Sequence, residues 1–184
     1  MYIYKGIGFR PIEFEDLEIL LHLHNDMSTL LQLSSVEMFS MSEQEDWWKA
    51  LSKSRKVQRY SIVEISEDKI IGSCKIQNID HINRNCEIGL DILSAFRHKG
   101  FGKKSYEMIL EYLFMHFNMH MVYLRVSDFN LHAKKLYENI GFVETGRFKE
   151  CLYRDGRYWD YILMTLTKTE YMAKFVKTCK KSEK

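Results

Sequence analysis

The sequence predicts an α/β fold, a mixed and mostly antiparallel twisted sheet of about seven strands flanked by about four helices. Three observations lead there. Short runs rich in β-branched and aromatic residues recur along the 184 residues, several of them joined by polar turns short enough for hairpins. Between two such runs, 85–92 and 122–126, lies a stretch of helical period, so these two strands are parallel if they share a sheet. One Pro and nine Gly leave few sharp breaks in the chain.

Each element has its own signal. Residues 2–9 (YIYKGIGF) alternate well enough for a first strand, and Pro11 keeps Arg10 extended. From Glu15, Leu17, Leu20 and Leu21 mark a helix with acids in its first turn, where the macrodipole favours them. Ser42 and Glu45 have capping-box spacing for a second helix to about Lys53, with Trp47 and Leu51 on one face. The runs 59–66 and 69–79 form a hairpin about Glu67-Asp68, and a further strand covers 85–92. Tyr106, Ile109, Leu110, Leu113, Phe114 and Phe117 give the strongest helical period, followed by the strand Val122–Val126. A helix from Leu131 to Ile140 has Asn130 as N-cap and Gly141 to end it. Asp155-Gly156 then turns a last hairpin between arms 148–153 and 157–166.

Composition bounds the function. Apolar residues at 46% and charged residues at 28% fit a globular protein. A net charge of +2 gives no reason to expect binding to nucleic acid or membrane through overall charge. Cys74, Cys86, Cys151 and Cys179 form no C-x-x-C pair, so neither a disulfide framework nor a zinc ribbon is signalled, and reduced thiols in the cytoplasm are expected. No window reaches the roughly 18 uncharged apolar residues of a membrane span. The histidines show no metal-ligand spacing, and no Ser or Cys sits in a nucleophile elbow. No metal is implied. The length suits one domain, 1–167, followed by a Lys-rich tail, 168–184.

The segment that carries chemistry is Arg97-His98-Lys99-Gly100-Phe101-Gly102, followed by Lys103 and Lys104. Four fixed cations within eight residues crowd a helix N-terminus whose dipole is already positive, at a cost of a few tenths of a kcal/mol each. That cost is offset if an anion is held there, against the free N–H groups of the first turn. A Walker A loop fails because its first Gly would fall on Arg97. A dinucleotide fingerprint fits poorly, since Ser105 stands where a third Gly or Ala belongs, although Asp128 keeps that reading open.

A second motif follows about thirty residues on: Asn130-x-x-Ala133-x-x-Leu136-Tyr137-Glu138-x-x-Gly141-Phe142. Asn130 and Tyr137 are seven apart, so they lie only about 20° apart around one helix. Arg97-x-x-Gly100-x-Gly102 resembles the acyl-CoA pyrophosphate loop of the GCN5-related N-acetyltransferases, and the second motif is similar to that family's later one. The resemblance runs from Phe9-Arg10-Pro11 to the final strand. It implies acetyl-CoA as co-substrate and a splayed parallel strand pair to hold it.

By the same resemblance the pyrophosphate loop is Arg97, His98, Lys99, Gly100, Phe101, Gly102 and Lys103, with the backbone of Leu90, Asp91 and Ile92 on the pantetheine arm and Asn130 and Lys134 as further cofactor contacts. Tyr137 is implied as general acid. Acetyl transfer from a thioester to an amine releases a thiolate, and a phenol of pKa about 10 can supply it with a hydrogen bond or proton. The attacking ammonium must first lose a proton. Glu87, at the acidic position used by many relatives, is the first candidate base, and His81 the second.

For the acceptor, the resemblance places the second helix in the pocket wall. Two adjacent indoles cannot both point inward, so Trp47 or Trp48 can line a groove with Met38, Phe39 and His81. The branch containing ribosomal-protein N-terminal, spermidine and amino-sugar-nucleotide acetyltransferases is the most similar. His24-Asn25-Asp26, Met38-Phe39 and Trp47-Trp48 lean towards a nucleotide-linked amino sugar, whereas Glu43, Glu45 and Asp46 could form an acidic groove for a polyamine. A non-catalytic acyl-CoA-binding module on the same scaffold is the rival from another class. A monomer or homodimer is expected.

Overall fold

The computed structural model describes residues 1–174 other than 52 and 55. Its elements in chain order are β1 (Tyr2–Tyr4), β2 (Ile7–Pro11), α1 (Leu17–Asn25), α2 (Met27–Leu30), α3 (Met41–Leu51), β3 (Val57–Glu64), β4 (Lys69–Asp80), β5 (Asn85–Ile92), α4 (Phe101–Glu111), β6 (Met121–Ser127), α5 (Leu131–Ile140), β7 (Val143–Arg154) and β8 (Arg157–Thr167). The strands form an eight-stranded sheet in the order β1-β2-β3-β4-β5-β6-β8-β7. It is mostly antiparallel, with β5 and β6 parallel. Asn85–Glu87 of β5 pair in register with Met121–Tyr123 of β6.

Eight strands replace the expected seven because YIYKGIGF is a hairpin, not one strand. Lys5 (φ 46°) and Gly6 (φ 84°) both take left-handed backbone, the geometry of a two-residue turn that matches strand twist, and Tyr4 pairs with Ile7. The α3 cap also differs. Ser40 Oγ accepts from Glu43 N at 3.3 Å while Glu43 Oε2 accepts from Ser40 N at 2.8 Å, a capping box two residues before the expected Ser42 and Glu45. The two registers share one spacing, and the sequence alone does not choose between them. Helix α2 was not anticipated: four residues carry no period, and its signal is Asp26, whose carboxylate accepts from Ser28 N. The apolar stripe after α4 runs on through a π-helical turn, Tyr112–His116.

Contacts divide the chain into two compact units, one of Met1–Ile79 with Ile88–Ile109 and one of Asp80–Glu87 with Leu110–Lys184. In the first, Ile12, Leu17, Leu20 and Leu23 are buried together, and Trp47, Trp48, Leu51 and Leu93 pack on them. Each such aliphatic side chain contributes about 1.5–3 kcal/mol. Asp16, 2% exposed, ties this helical layer to the sheet. It accepts from both terminal nitrogens of Arg10 (2.6 and 2.8 Å) and from Ser61 Oγ (2.7 Å). In the second unit, β6 and β8 pair over seven residues, and Val122, Leu124, Ile162, Met164 and Leu166 are buried along them. Residues 168–174 are helical, and the rest of the Lys-rich tail lies outside the described residues. Among the described residues, no helix is long and apolar enough to cross a membrane.

Candidate active site

In the first unit the basic loop leads into α4 by way of two left-handed residues, His98 (φ 59°) and Gly100 (φ 84°). A Cβ at Gly100 would meet no atom within 4 Å, so glycine is favoured there by backbone conformation and the space above it is open. Lys104 N donates to Gly100 O, whereas the N–H groups of the first helical positions have no partner within the helix. Lys99 and Lys104 lie over the rings of Phe96 and Phe101, at 5.6 and 5.7 Å, and Lys103 is 3.8 Å from Glu107. An open glycine turn, free amides and three lysines together fit a pyrophosphate.

Arg97 is held differently from its neighbours. It donates from Nε to Ile92 O (2.8 Å) and from its terminal nitrogens to Ser28 Oγ (2.7 Å) and Thr29 Oγ1 (2.5 Å), with Asp26 at 3.7 Å. Its guanidinium therefore braces α2 against the end of β5. The carbonyl of Ile92 is engaged by the same side chain. Near Asp91, β4 approaches so closely that a Cβ at Gly72 would lie 2.2 Å from Asp91 O.

In the second unit, Asn130 Oδ1 accepts from Ala133 N at 3.0 Å and so caps α5, and Gly141 (φ 126°) ends the helix. Tyr137 is half-buried, its ring edge-on to Phe142 at 6.2 Å. Lys134 pairs with Glu144 at 2.8 Å. Glu87, 4% exposed, accepts from Arg125 through both oxygens, at 2.9 and 3.2 Å. That hydrogen bond holds the Arg125 guanidinium above its ordinary range, and burial pushes the nearby Tyr161 phenol up. Both Glu87 oxygens are thus engaged by Arg125. His81 is exposed, its ring 5.9 Å from Phe117.

Two cavities open in the first unit. One of about 300 Å³ is lined by Phe39, Trp47, Arg59, Lys75 and Asp91, among others. A larger one of about 560 Å³ is lined by Trp48, Leu51, Tyr60 and again Arg59. The smaller holds the denser set of charged and hydroxyl groups and is the better candidate for recognition. The two indoles thus diverge as two adjacent helix positions must: Trp47 faces one cavity, and Trp48 lines the other and donates to Ile12 O at 2.9 Å. Phe39 is fixed by a clip in which Asn25 donates to Phe39 O (2.8 Å) and accepts from Phe39 N (3.0 Å), and its ring stacks on His24 at 4.5 Å. Met38 is 59% exposed and lines neither cavity. His81 belongs to the other unit.

Sequence reasoning missed Arg59 and Lys75 altogether and took Asp91 for its backbone alone. Burial pushes the Asp91 carboxyl above the usual carboxylate range, against the pull of Lys75, Arg59, His24 and Arg97. Burial likewise lowers the Arg59 guanidinium, opposed by Asp91. Cys74 and Cys86 are buried, which pushes both thiols up to about 12, so neither is a ready nucleophile near neutral pH. Among the described residues no three His, Cys, Asp or Glu groups cluster as metal ligands.

The chain is similar to several known proteins. Residues 7–143 match the family model of the acetyltransferase (GNAT) domain. A spermidine N(1)-acetyltransferase from Vibrio cholerae is 29% identical over 166 residues, covering 90% of this chain and 95% of the relative. A putative ribosomal N-acetyltransferase from Bacillus subtilis, YdaF, is 28% identical over 57% of each chain. The crystal structure of a Vibrio cholerae spermidine N-acetyltransferase in complex with CoA and spermine superposes with a TM-score of 0.86 at 27% identity, covering 92% of this chain and 99% of that one. A dodecameric structure of the Vibrio enzyme superposes with a TM-score of 0.80. The chain therefore belongs to the GNAT family of N-acetyltransferases, acyltransferases with acetyl-CoA as co-substrate.

Proposed function

We propose that the chain moves the acetyl group of acetyl-CoA directly to a primary amine of a small molecule, with the His98–Lys103 loop binding the cofactor and Tyr137 acting as general acid. The observation that carries this reading is the open, left-handed Gly100 turn feeding the N-terminus of α4 beside three lysines. The first-turn amides and the lysines would hold the pyrophosphate. The thioester supplies an activated acyl carbon. The amine nitrogen attacks it, the C–N bond forms as the C–S bond breaks, the Tyr137 phenol protonates the departing sulfur, and the second nitrogen proton passes to solvent, which returns one to the phenolate. The ammonium proton would leave first, to a base or to water. Glu87 and His81 remain the candidates named from the sequence, and the bidentate Arg125 pair makes a water relay or another base easier for the amine than Glu87 itself.

Of the acceptors weighed from the sequence, the comparisons support a polyamine above a nucleotide-linked amino sugar, because the relatives with a named small-molecule amine act on spermidine. The test is thiol release from acetyl-CoA across spermidine, amino sugars, their nucleotide-linked forms and N-terminal peptides. Amine-dependent release with a small molecule is expected. Release only with peptides would replace the small-molecule acceptor, and binding of acetyl-CoA without release would overturn the reading.

A further inference from the structure

The floor of the 300 Å³ cavity carries a row of charge across three strands. In the β3–β4 ladder Arg59 stands directly opposite Lys75, and both line the cavity with Asp91 of β5. Like charges directly opposite one another destabilise an antiparallel pair. Lys75 lies across β5 at Gly89, its Cε beside the position a Cβ would take there. The Arg59 guanidinium lies 5.4 Å from the Trp47 ring, and its buried Nε has no hydrogen-bond partner among the described residues. A buried donor without a partner costs roughly 1–3 kcal/mol. One carboxylate, Asp91, faces two fixed cations, and burial favours its neutral form. Hydroxyl groups of Thr29, Ser34, Ser35 and Ser73 complete the polar lining.

We propose that this row is a subsite for an oxyanion, a phosphoryl or carboxylate group, carried by the acceptor amine. A guanidinium fork and an ammonium are the pair that such a group satisfies, the first by direction and the second by charge. The ligand would satisfy the unpartnered Nε of Arg59. A volume of about 300 Å³ is at the lower end of small-molecule sites and suits a single sugar or amino acid. A polyamine has the same sign as this floor. The acids that would suit one, Glu43, Glu45 and Asp46, line neither cavity, and two of them pair with Lys49, at 3.7 and 3.3 Å.

This inference rests on the acetyltransferase reading but not on a polyamine acceptor. The experiment measures kcat/KM, by thiol release from acetyl-CoA, for glucosamine 6-phosphate against glucosamine, for γ-aminobutyrate against butylamine, and for spermidine. In the wild-type enzyme the oxyanion-bearing member of at least one pair is expected to lead by tenfold or more, and the pair identifies which oxyanion is read. In Arg59→Gln and in Lys75→Gln, made separately in case one fails to fold, that ratio should collapse towards one. Preference for spermidine or for the neutral members, or a ratio unchanged in both variants, would overturn the subsite. No release with any amine would count against the transferase reading instead. The subsite is then read by calorimetry of glucosamine 6-phosphate and glucosamine on the CoA-saturated protein. Binding of the phosphorylated sugar alone, lost in Arg59→Gln, supports it, and equal or absent binding overturns it.

Discussion

Single side chains divide into those whose part the sequence announces and those whose part depends on distant partners. Asn130 is of the first kind: a cap three residues before the amide it accepts from is local, and Asn130→Ala should lower stability by about 1 kcal/mol, read as a shift in the denaturation midpoint. Tyr137, seven residues on, is placed by the same helix. Arg97 is of the second kind. Its hydroxyl partners are 68 and 69 residues away in α2, an element too short to be seen in the sequence, so a basic residue in a basic loop reads as a phosphate ligand. Because its guanidinium braces α2, whose Thr29 lines the 300 Å³ cavity, Arg97→Gln should raise KM for the amine by about tenfold or more and change KM for acetyl-CoA less. Steady-state kinetics with each substrate varied in turn checks this, and the opposite split would make Arg97 a phosphate ligand.

At the scale of elements, alternation and turn chemistry made the hairpins legible, but not their register. Counted back from the β3–β4 turn, where Glu64 faces Lys69 and Val63 faces Ile70, Arg59 would face Cys74. A bulge at Ile62/Val63 adds one residue to β4, so Arg59 faces Lys75 instead. A one-residue slip changes every cross-strand partner beyond it, and for that reason the charged floor was invisible in the sequence. Gly72 sits beside this irregularity, and Gly72→Ala drives a Cβ into Asp91 O. Neither backbone can yield cheaply, so a loss of about 2 kcal/mol or more is expected by denaturant titration.

The ion pair that joins β2 to the helical layer sets a pH dependence. Burial alone would raise the Asp16 carboxyl, but Arg10, Glu13 N and Ser61 hold it below the usual carboxylate range. A depressed folded pKa means that its contribution is complete above the unfolded value of about 3.9 and is lost as pH falls through the lower folded value. Stability should therefore decline below about pH 4 in the wild type, and Asp16→Asn should lack that part of the decline. Leaving Arg10 without its carboxylate should cost about 3 kcal/mol at neutral pH, the low end for a buried pair because Arg10 is partly exposed.

Across the whole molecule, the family and its cofactor were readable because two motifs about thirty residues apart each carry local chemistry, a glycine turn before a helix and a capped helix bearing a phenol. The acceptor was not, because its candidate pocket is assembled from α1, α2, α3 and three strands whose contributions are scattered from Ile12 to Asp91. Relatives about 24–29% identical belong to the same family, and a shared fold does not by itself fix the acceptor. The most direct test of acetyl transfer assisted by Tyr137 is a comparison of wild type with Tyr137→Phe, measuring kcat by thiol release at saturating amine and acetyl-CoA affinity by calorimetry. In Tyr137→Phe, kcat should fall by about 100-fold or more with the dissociation constant changed less than about threefold. Unchanged kcat, or a loss explained by weaker cofactor binding, would contradict it.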